Sequence, residues 1–262
     1  MRRRAHLDRI QLPAGISVRR LIPSLLLPGM AFYLRGERLI GQAILLGCAV
    51  LAAIFIIWLG YPVANVAFGL LLSAHATSVL FLLNPWMAGV RFIFRIMFGM
   101  VVLLAVGGCI YSPLRSQLQA HYLMPIRINE QVVVVRRSSS PDSVKRGDWI
   151  AYSIPRRGGE GVQVARGWEL GPVLATAGDQ IRFTTNGYAV NGIMLALRPH
   201  MPTTGELTVP RNHWFMWPDL AIRGNGNAAV ITSTMLELAM VPESVFFGKA
   251  FEQWFWRRQI LP

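Results

Sequence analysis

The chain has 262 residues, 53% of them apolar and 15% charged, and carries a formal net charge of +13. That length with that apolar share argues against one large soluble globule and for a soluble domain joined to a membrane-embedded part. The charge divides as +8 over residues 1–112, from ten arginines against Asp8 and Glu37, and +5 over the rest. An excess beside hydrophobic segments points to anionic lipid headgroups and membrane topology, and no face of alternating basic and stacking aromatic residues supports a nucleic-acid partner.

The first twenty residues hold Arg2, Arg3, Arg4, Arg9, Arg19 and Arg20 without a short apolar core and small-residue cleavage site, so no cleaved leader is read there. Leu21 to Ile40 is interrupted by Pro23, Pro28 and Gly29, and is expected to lie in the interface or re-enter rather than cross. Apolar runs follow at Leu39 to Leu59, Pro62 to Leu83 and Ile96 to Ser112, each near the ~20 residues a spanning helix needs. Arg91 and Arg95 lie between the second and third runs while the Gly60 to Asn65 turn has no charge, which places the N-terminus in the cytoplasm and everything after Ser112 outside. The chain therefore divides into a basic N-terminal segment (1–38), three transmembrane helices (39–112) and an extracytoplasmic domain (113–262). Cys48 and Cys109 fall in apolar runs, with no disulfide framework and no zinc spacing, and neither a metal nor a cofactor is expected. Ser73 and His75, polar groups inside the second run, are read first as helix-packing hydrogen bonds and second as a proton relay.

From Ile126 onward the helical period gives way to short β-branched runs. Strands are predicted at Val132 to Val135, Trp149 to Ile154, Val162 to Ala165, Ile181 to Thr185 and Tyr188 to Val190, with another from His213 to Trp217. Asn186-Gly187 is the expected two-residue hairpin turn, Asn191-Gly192 the next turn, and Pro199, Pro202 and Gly205 open a loop. The predicted fold class is α+β: N-terminal helices, then a mainly β, barrel-like domain. Its aromatic ending holds Phe246, Phe247, Phe251, Trp254, Phe255 and Trp256 beside Arg257 and Arg258, and reads either as a membrane-interface tail or as a buried strand with an exposed cap.

Four stretches occur in the order used by type I signal peptidases, and the second half of the chain resembles that family. Ser138-Ser139-Ser140-Pro141, continuing to Gly147-Asp148-Trp149-Ile150, is similar to its "SMxPT…xGDxV", with Ser138 at the nucleophile. Gly178-Asp179 with Asn186-Gly187 and Asn191-Gly192 is similar to "GLPGDxVxxxNGxxxVNG", Val209 to Asp219 to "VPxGHYFVMGD", and Val241 to Ala250 to "VPxxxIxGKA". The resemblance implies a bacterial inner-membrane protein with a periplasmic, β-rich domain of the serine-protease type. Its groove would take extended segments of exported or membrane polypeptides by strand addition.

The chain departs from the family at the base. Counting back from Asp179, the position of the catalytic lysine is Gly171, and its usual arginine neighbour is Pro172. A serine needs a group to take its proton, and neither glycine nor the nearby Arg166 can do so. His121, His200 and His213 are the remaining candidates, and Lys145 would need burial to serve. Asp148 and Asp179 read as turn caps, while the Ser138 segment also reads as an ordinary solvated turn. The expectation is a protein that keeps the fold and binds or scaffolds polypeptides without Ser-Lys chemistry. The alternatives are an active divergent peptidase using Ser138, and an accessory subunit of a larger membrane complex.

Overall fold

The structure, a computed structural model, describes residues 18–128, 131–159, 162–220 and 227–259. Arg2, Arg3, Arg4 and Arg9, on which the leader reading rests, lie outside the described residues. The chain is α+β and forms two units, Met1–Gln119 and Ala120–Pro262.

In the first unit, three helices are long and apolar enough to cross a membrane: Arg38–Ile57, Pro62–Leu83 and Phe92–His121. Pro62 opens the second at a position where its missing N–H costs no hydrogen bond. Leu39, Phe92 and Leu104 are among the outward residues left exposed, as lipid-facing positions are. The third helix starts before Ile96 and runs past Ser112, through a π turn at Gly107–Tyr111. Pro113 has no N–H to continue the ladder, and the looser turn just before it, where Ser112 N–H donates to Gly107 O, absorbs the interruption. Ahead of these helices lie two short ones, Val18–Leu26 and Met30–Leu34, parted at Gly29 with φ of 84°. At nine and five residues neither could span a bilayer. The Gly29 N–H donates to the buried Ser78 hydroxyl at 3.0 Å, tying this lead-in to the second long helix. His75 is fully buried and shares a 3.0 Å hydrogen bond between Nδ1 and the Tyr111 hydroxyl, a packing bond at the π turn. Ser73 is exposed, and its carbonyl accepts from the Thr77 hydroxyl.

The second unit is a curled β-sheet domain. A five-stranded antiparallel sheet runs in the order β1 (Leu123–Ile128), β2 (Gln131–Arg136), β13 (Phe246–Ala250), β3 (Trp149–Ile154), β6 (Gly167–Pro172). A small hairpin, β4 (Arg157–Gly159) with β5 (Val162–Val164), lies between β3 and β6 in sequence. A four-stranded sheet follows in the order β10 (Gly205–Thr208), β7 (Gln180–Thr184), β8 (Gly187–Val190), β9 (Ile193–Leu195). β11 (His213–Phe215) pairs with β12 (Met240–Pro242), and β14 (Gln253–Trp254) with β15 (Arg257–Arg258). Between β11 and β12 runs a helix, Ala228–Ala239, whose first turn is capped by the Asn227 side chain accepting from Ala229 N–H. Its Met235 and Ala239 join Ile181, Phe183, Tyr188, Phe215 and Trp217 in the core over the four-stranded sheet. Ile150, Tyr152 and Ile154 pack with Trp214, Met216 and Val241 on one face of the five-stranded sheet, while Val133, Val135, Ala151 and Phe247 line the other.

Several expectations change. The Asn186-Gly187 turn is displaced: Thr184 pairs with Gly187, so Thr185-Asn186 form the turn, and neither Asn186 nor Gly187 has positive φ. Gly187 is instead a strand residue whose added Cβ would lie 2.5 Å from Leu195 O on β9. The positive-φ pair is Asn191 (49°) and Gly192 (85°), which join β8 to β9 with Val190 opposite Ile193. Gly205 opens β10 rather than lying in a loop, because Gly205–Thr208 continues the sheet beyond β7. The aromatic ending is a strand, β13, followed by the β14–β15 hairpin, in which Trp254 is buried while Phe255 and Trp256 stand exposed.

Candidate functional site

β2 delivers the chain to the Ser138 turn. Arg136 ends the strand, and Arg137 N–H donates to Tyr122 O at 3.0 Å. The Ser138 side chain is exposed, and its neighbours are engaged locally. The Ser139 hydroxyl donates to Arg136 O at 3.2 Å and the Ser143 hydroxyl to Ser140 O at 2.6 Å. Ser140 caps the 3-10 turn Pro141–Ser143, accepting from Asp142 N–H and donating to the Asp142 carboxylate at 3.1 Å. The polar run Ser138 to Ser143 is thus a self-capped surface turn.

The next turn brings in a carboxylate. Gly147, with φ of 89°, reverses the chain, and Asp148 Oδ2 accepts from Lys145 N–H at 2.8 Å. Asp148 Oδ1 lies 2.7 Å from Lys249 Nζ, with the aspartate side chain only 15% exposed. Lys249 stands opposite Arg136 on β2 and Ile150 on β3, and Ile150 in turn stands opposite Gly171 on β6. Directly opposed residues of an antiparallel ladder share a face, so Arg136, Lys249, Ile150 and Gly171 form one row across the sheet. Gly248 permits this placement: β13 bulges there, and an added Cβ would lie 2.5 Å from Arg136 O.

Lys249 therefore sits on the strand next to the one that leads into Ser138, whereas Gly171 is separated from β2 by both β13 and β3. The space a side chain at Gly171 would enter is apolar, with Met216 Cε 3.5 Å from the added Cβ. The Lys249 ammonium group is thus directed at the Asp148 carboxylate. Neither Lys249 nor the ion-pairing role of Asp148 was expected from sequence. The Gly-Lys-Ala run was the signal for the first, but only the long-range pairing of β13 with β2 and β3 gives it meaning.

The histidines are scattered over different elements. His213, the first residue of β11, has its Nδ1 2.9 Å from Arg211 O. His200 is exposed with φ of 65°. His121 ends the third long helix and precedes Tyr122, whose carbonyl accepts from the N–H of Arg137, the residue before Ser138. Lys145 is exposed. Asp179 ties two turns together: Oδ2 accepts from Thr176 N–H at 2.7 Å and from the Thr176 hydroxyl at 3.1 Å, and Oδ1 from Asn191 Nδ2 at 2.7 Å. Partial burial alone would raise this carboxyl, but the Thr176 and Asn191 donors outweigh it and hold it below its ordinary value.

A second acidic centre lies on β6, at a residue the sequence did not single out. Glu169 stands opposite Tyr152, whose buried hydroxyl has no hydrogen-bond partner among the described residues. Burial, offset by the Asp219 backbone N–H and reinforced by the Asp219 charge, pushes the Glu169 carboxyl up to about 7. Among the described residues no group of three or more His, Cys, Asp or Glu could hold a metal ion. No family model and no curated protein sequence matches the chain.

Proposed function

We propose that the chain is a membrane-anchored protein of signal-peptidase-like organisation, without Ser-Lys catalysis, whose outer domain binds or scaffolds extended segments of exported or membrane polypeptides. The observation that carries this reading is the row Arg136, Lys249, Ile150, Gly171, in which the expected base position is a glycine facing Met216 and the neighbouring lysine is engaged by Asp148. A serine hydroxyl without a proton acceptor is a poor nucleophile, while an unpaired strand edge still offers backbone hydrogen bonds to an extended peptide. The three long apolar helices and the exposed polar turn at Ser138 are compatible with the same reading.

A divergent serine peptidase is the second reading, and the Arg137 to Tyr122 bond favours it by joining the backbone next to Ser138 to the backbone next to His121. In that case imidazole would take the Ser138 proton and the Ser138 N–H would face the developing oxyanion. The two readings separate in one assay with the purified full chain and a fluorescent Ala-x-Ala leader peptide. The binding reading expects the wild type and Ser138→Ala to bind the peptide alike, by anisotropy, and to leave it intact. Cleavage that is lost in both Ser138→Ala and His121→Ala would overturn it in favour of the peptidase. Absence of both binding and cleavage, with one membrane complex co-purifying at fixed stoichiometry, would favour an accessory subunit.

A further inference from the structure

In the first unit a cavity of about 220 Å³ opens between the Leu27-Pro28-Gly29 bend and the helix Arg38–Ile57. Leu27, Pro28 and Met30 line one side of it, and Tyr33, Gly41 and Leu45 the other. Its floor is rigid backbone: a Cβ added at Gly29 would clash with Gly41 O, and one added at Gly41 would lie 2.5 Å from the Tyr33 ring. The Gly29 N–H bond to the Ser78 hydroxyl anchors the same corner to the second long helix. Leu27 and Leu45 are 49% and 46% exposed, so the cavity is open to whatever surrounds the helices. The lining carries no charge, and its one polar side-chain group is the Tyr33 hydroxyl, too few partners to hold an ordered water.

Size and charge select the occupant. A helix with its side chains is about 10–12 Å across, too wide for this cavity, whereas a single polymethylene chain is thin and flexible enough to enter. Arg38, Gly41 and Leu45, at i, i+3 and i+7, share one face of the first long helix. At the rise of an α-helix, Gly41 and Leu45 lie about 4.5 Å and about 10.5 Å along the axis from Arg38, so the apolar lining occupies the first turns inward from a cation. Arg38 is exposed, and Arg35 is braced nearby in sequence, with Nη2 donating to Leu82 O at 3.3 Å and its guanidinium 4.9 Å over the Phe81 ring. These two arginines stand against one carboxylate, the exposed Glu37, and leave the helix end positive. A cation at the headgroup level with an apolar slot directly below it on the same helix face matches the phosphate and the acyl chain of one lipid.

We propose that this cavity is a binding site for one anionic phospholipid, an acyl chain lying between Leu27, Tyr33 and Leu45 and the phosphate meeting Arg38. The site rests on the membrane-anchored part of the functional reading and goes beyond it by assigning a particular lipid to particular residues. The test is native mass spectrometry of the full chain in detergent, titrated with phosphatidylglycerol or with phosphatidylcholine of the same acyl chains. Leu45→Trp fills the cavity from an exposed position, Arg38→Gln removes only the charge, and Leu104→Trp, on the 70% exposed face of the third long helix, is the control. The expected result is a single phosphatidylglycerol adduct, several-fold more populated than the phosphatidylcholine one. Leu45→Trp is expected to lose that adduct several-fold, Arg38→Gln to lose the preference between the lipids, and Leu104→Trp to behave as wild type. Equal adducts for the two lipids in the wild type, or an Arg38→Gln protein that keeps the preference, overturns the proposal. So does a Leu45→Trp protein that binds like wild type, or a lipid-free dimer that Leu45→Trp dissociates, since a second copy would then cover the cavity. Carbonate washing of the membranes separates this from the reading beneath it: a chain that stays in the pellet but fails the titration loses the lipid site alone, and a chain released without detergent loses the membrane anchoring as well.

Discussion

Glu169 shows how one residue couples the sheet to pH. It faces Tyr152 across β6 and β3, and its carboxyl is lifted by burial from an ordinary 4.5 to about 7. Between those values the unfolded chain releases a proton that the folded chain keeps, so stability falls as pH rises through this window and levels off above it. Glu169→Gln retains an acceptor for the Asp219 N–H and has no proton to lose. Melting of the purified full chain, followed by tryptophan fluorescence, is expected to give a flatter pH dependence for the variant and a higher Tm than wild type above pH 7. A constant offset between the two curves at every pH would show that Glu169 does not titrate in this window. Tyr152 does not compete for this role: burial, with the Glu169 charge adding to it, raises its phenol far from the same pH range.

At the scale of elements, the β7–β8–β9 meander separates two uses of Asn-Gly that look identical in sequence. Asn191-Gly192 has the positive φ values of a tight hairpin, while Asn186 sits in its turn without positive φ and Gly187 serves close strand approach. Gly187→Ala drives a Cβ toward Leu195 O and Met194 Cε, at 2.5 and 3.0 Å, and is expected to cost about 1–3 kcal/mol, as overpacking does. Asn186→Ala is expected to fall within about 0.5 kcal/mol of wild type, the range of ordinary surface substitutions. Chemical denaturation of the three proteins checks both, and an equal loss from both substitutions would return Asn186-Gly187 to the role of a type I′ turn.

The same contrast explains which elements the sequence announces. β2, β3 and β7 carry β-branched runs, whereas β6 reads Gly-Trp-Glu-Leu-Gly-Pro and β1 contains Pro125, and both are edge strands of the sheet, where such residues are tolerated. The helix Ala228–Ala239 hides behind Val230, Ile231, Thr232 and Thr234, and its clearest local mark is the Asn227 cap. At the candidate site, Ser138 and Gly171 were singled out by their offsets within the motifs that carry the resemblance. Lys249 beside β2 was not, because the strand that carries it arrives from the far end of the chain.

For the whole molecule, the number of crossings decides which side each part occupies. Among the described residues three helices are long and apolar enough to cross, an odd number, and the two short helices before them, at nine and five residues, are too short to add a crossing. If all three cross, as the proposed reading has it, the loop after the second long helix and the β domain after the third are expected on opposite sides of the bilayer. Arg91 adjoins that loop with Arg95 in the first turn of the third helix, and Arg35 precedes the first long helix that Arg38 opens, so under the same reading the positive-inside rule makes the cytoplasm the expected side of both. Single cysteines at Ala88→Cys and Thr204→Cys, both exposed positions, are introduced with Cys48 and Cys109 replaced by alanine. A membrane-impermeant maleimide applied to intact spheroplasts is expected to label position 204 at once and position 88 only after permeabilisation. The reverse order would place the β domain in the cytoplasm, where exported segments have not yet crossed and the binding role proposed for the domain would lose its substrate. Labelling of both in intact spheroplasts would mean that one of the three helices does not cross, and the third, whose Phe92–His121 length includes a π turn and a polar final stretch, would be the first to re-examine.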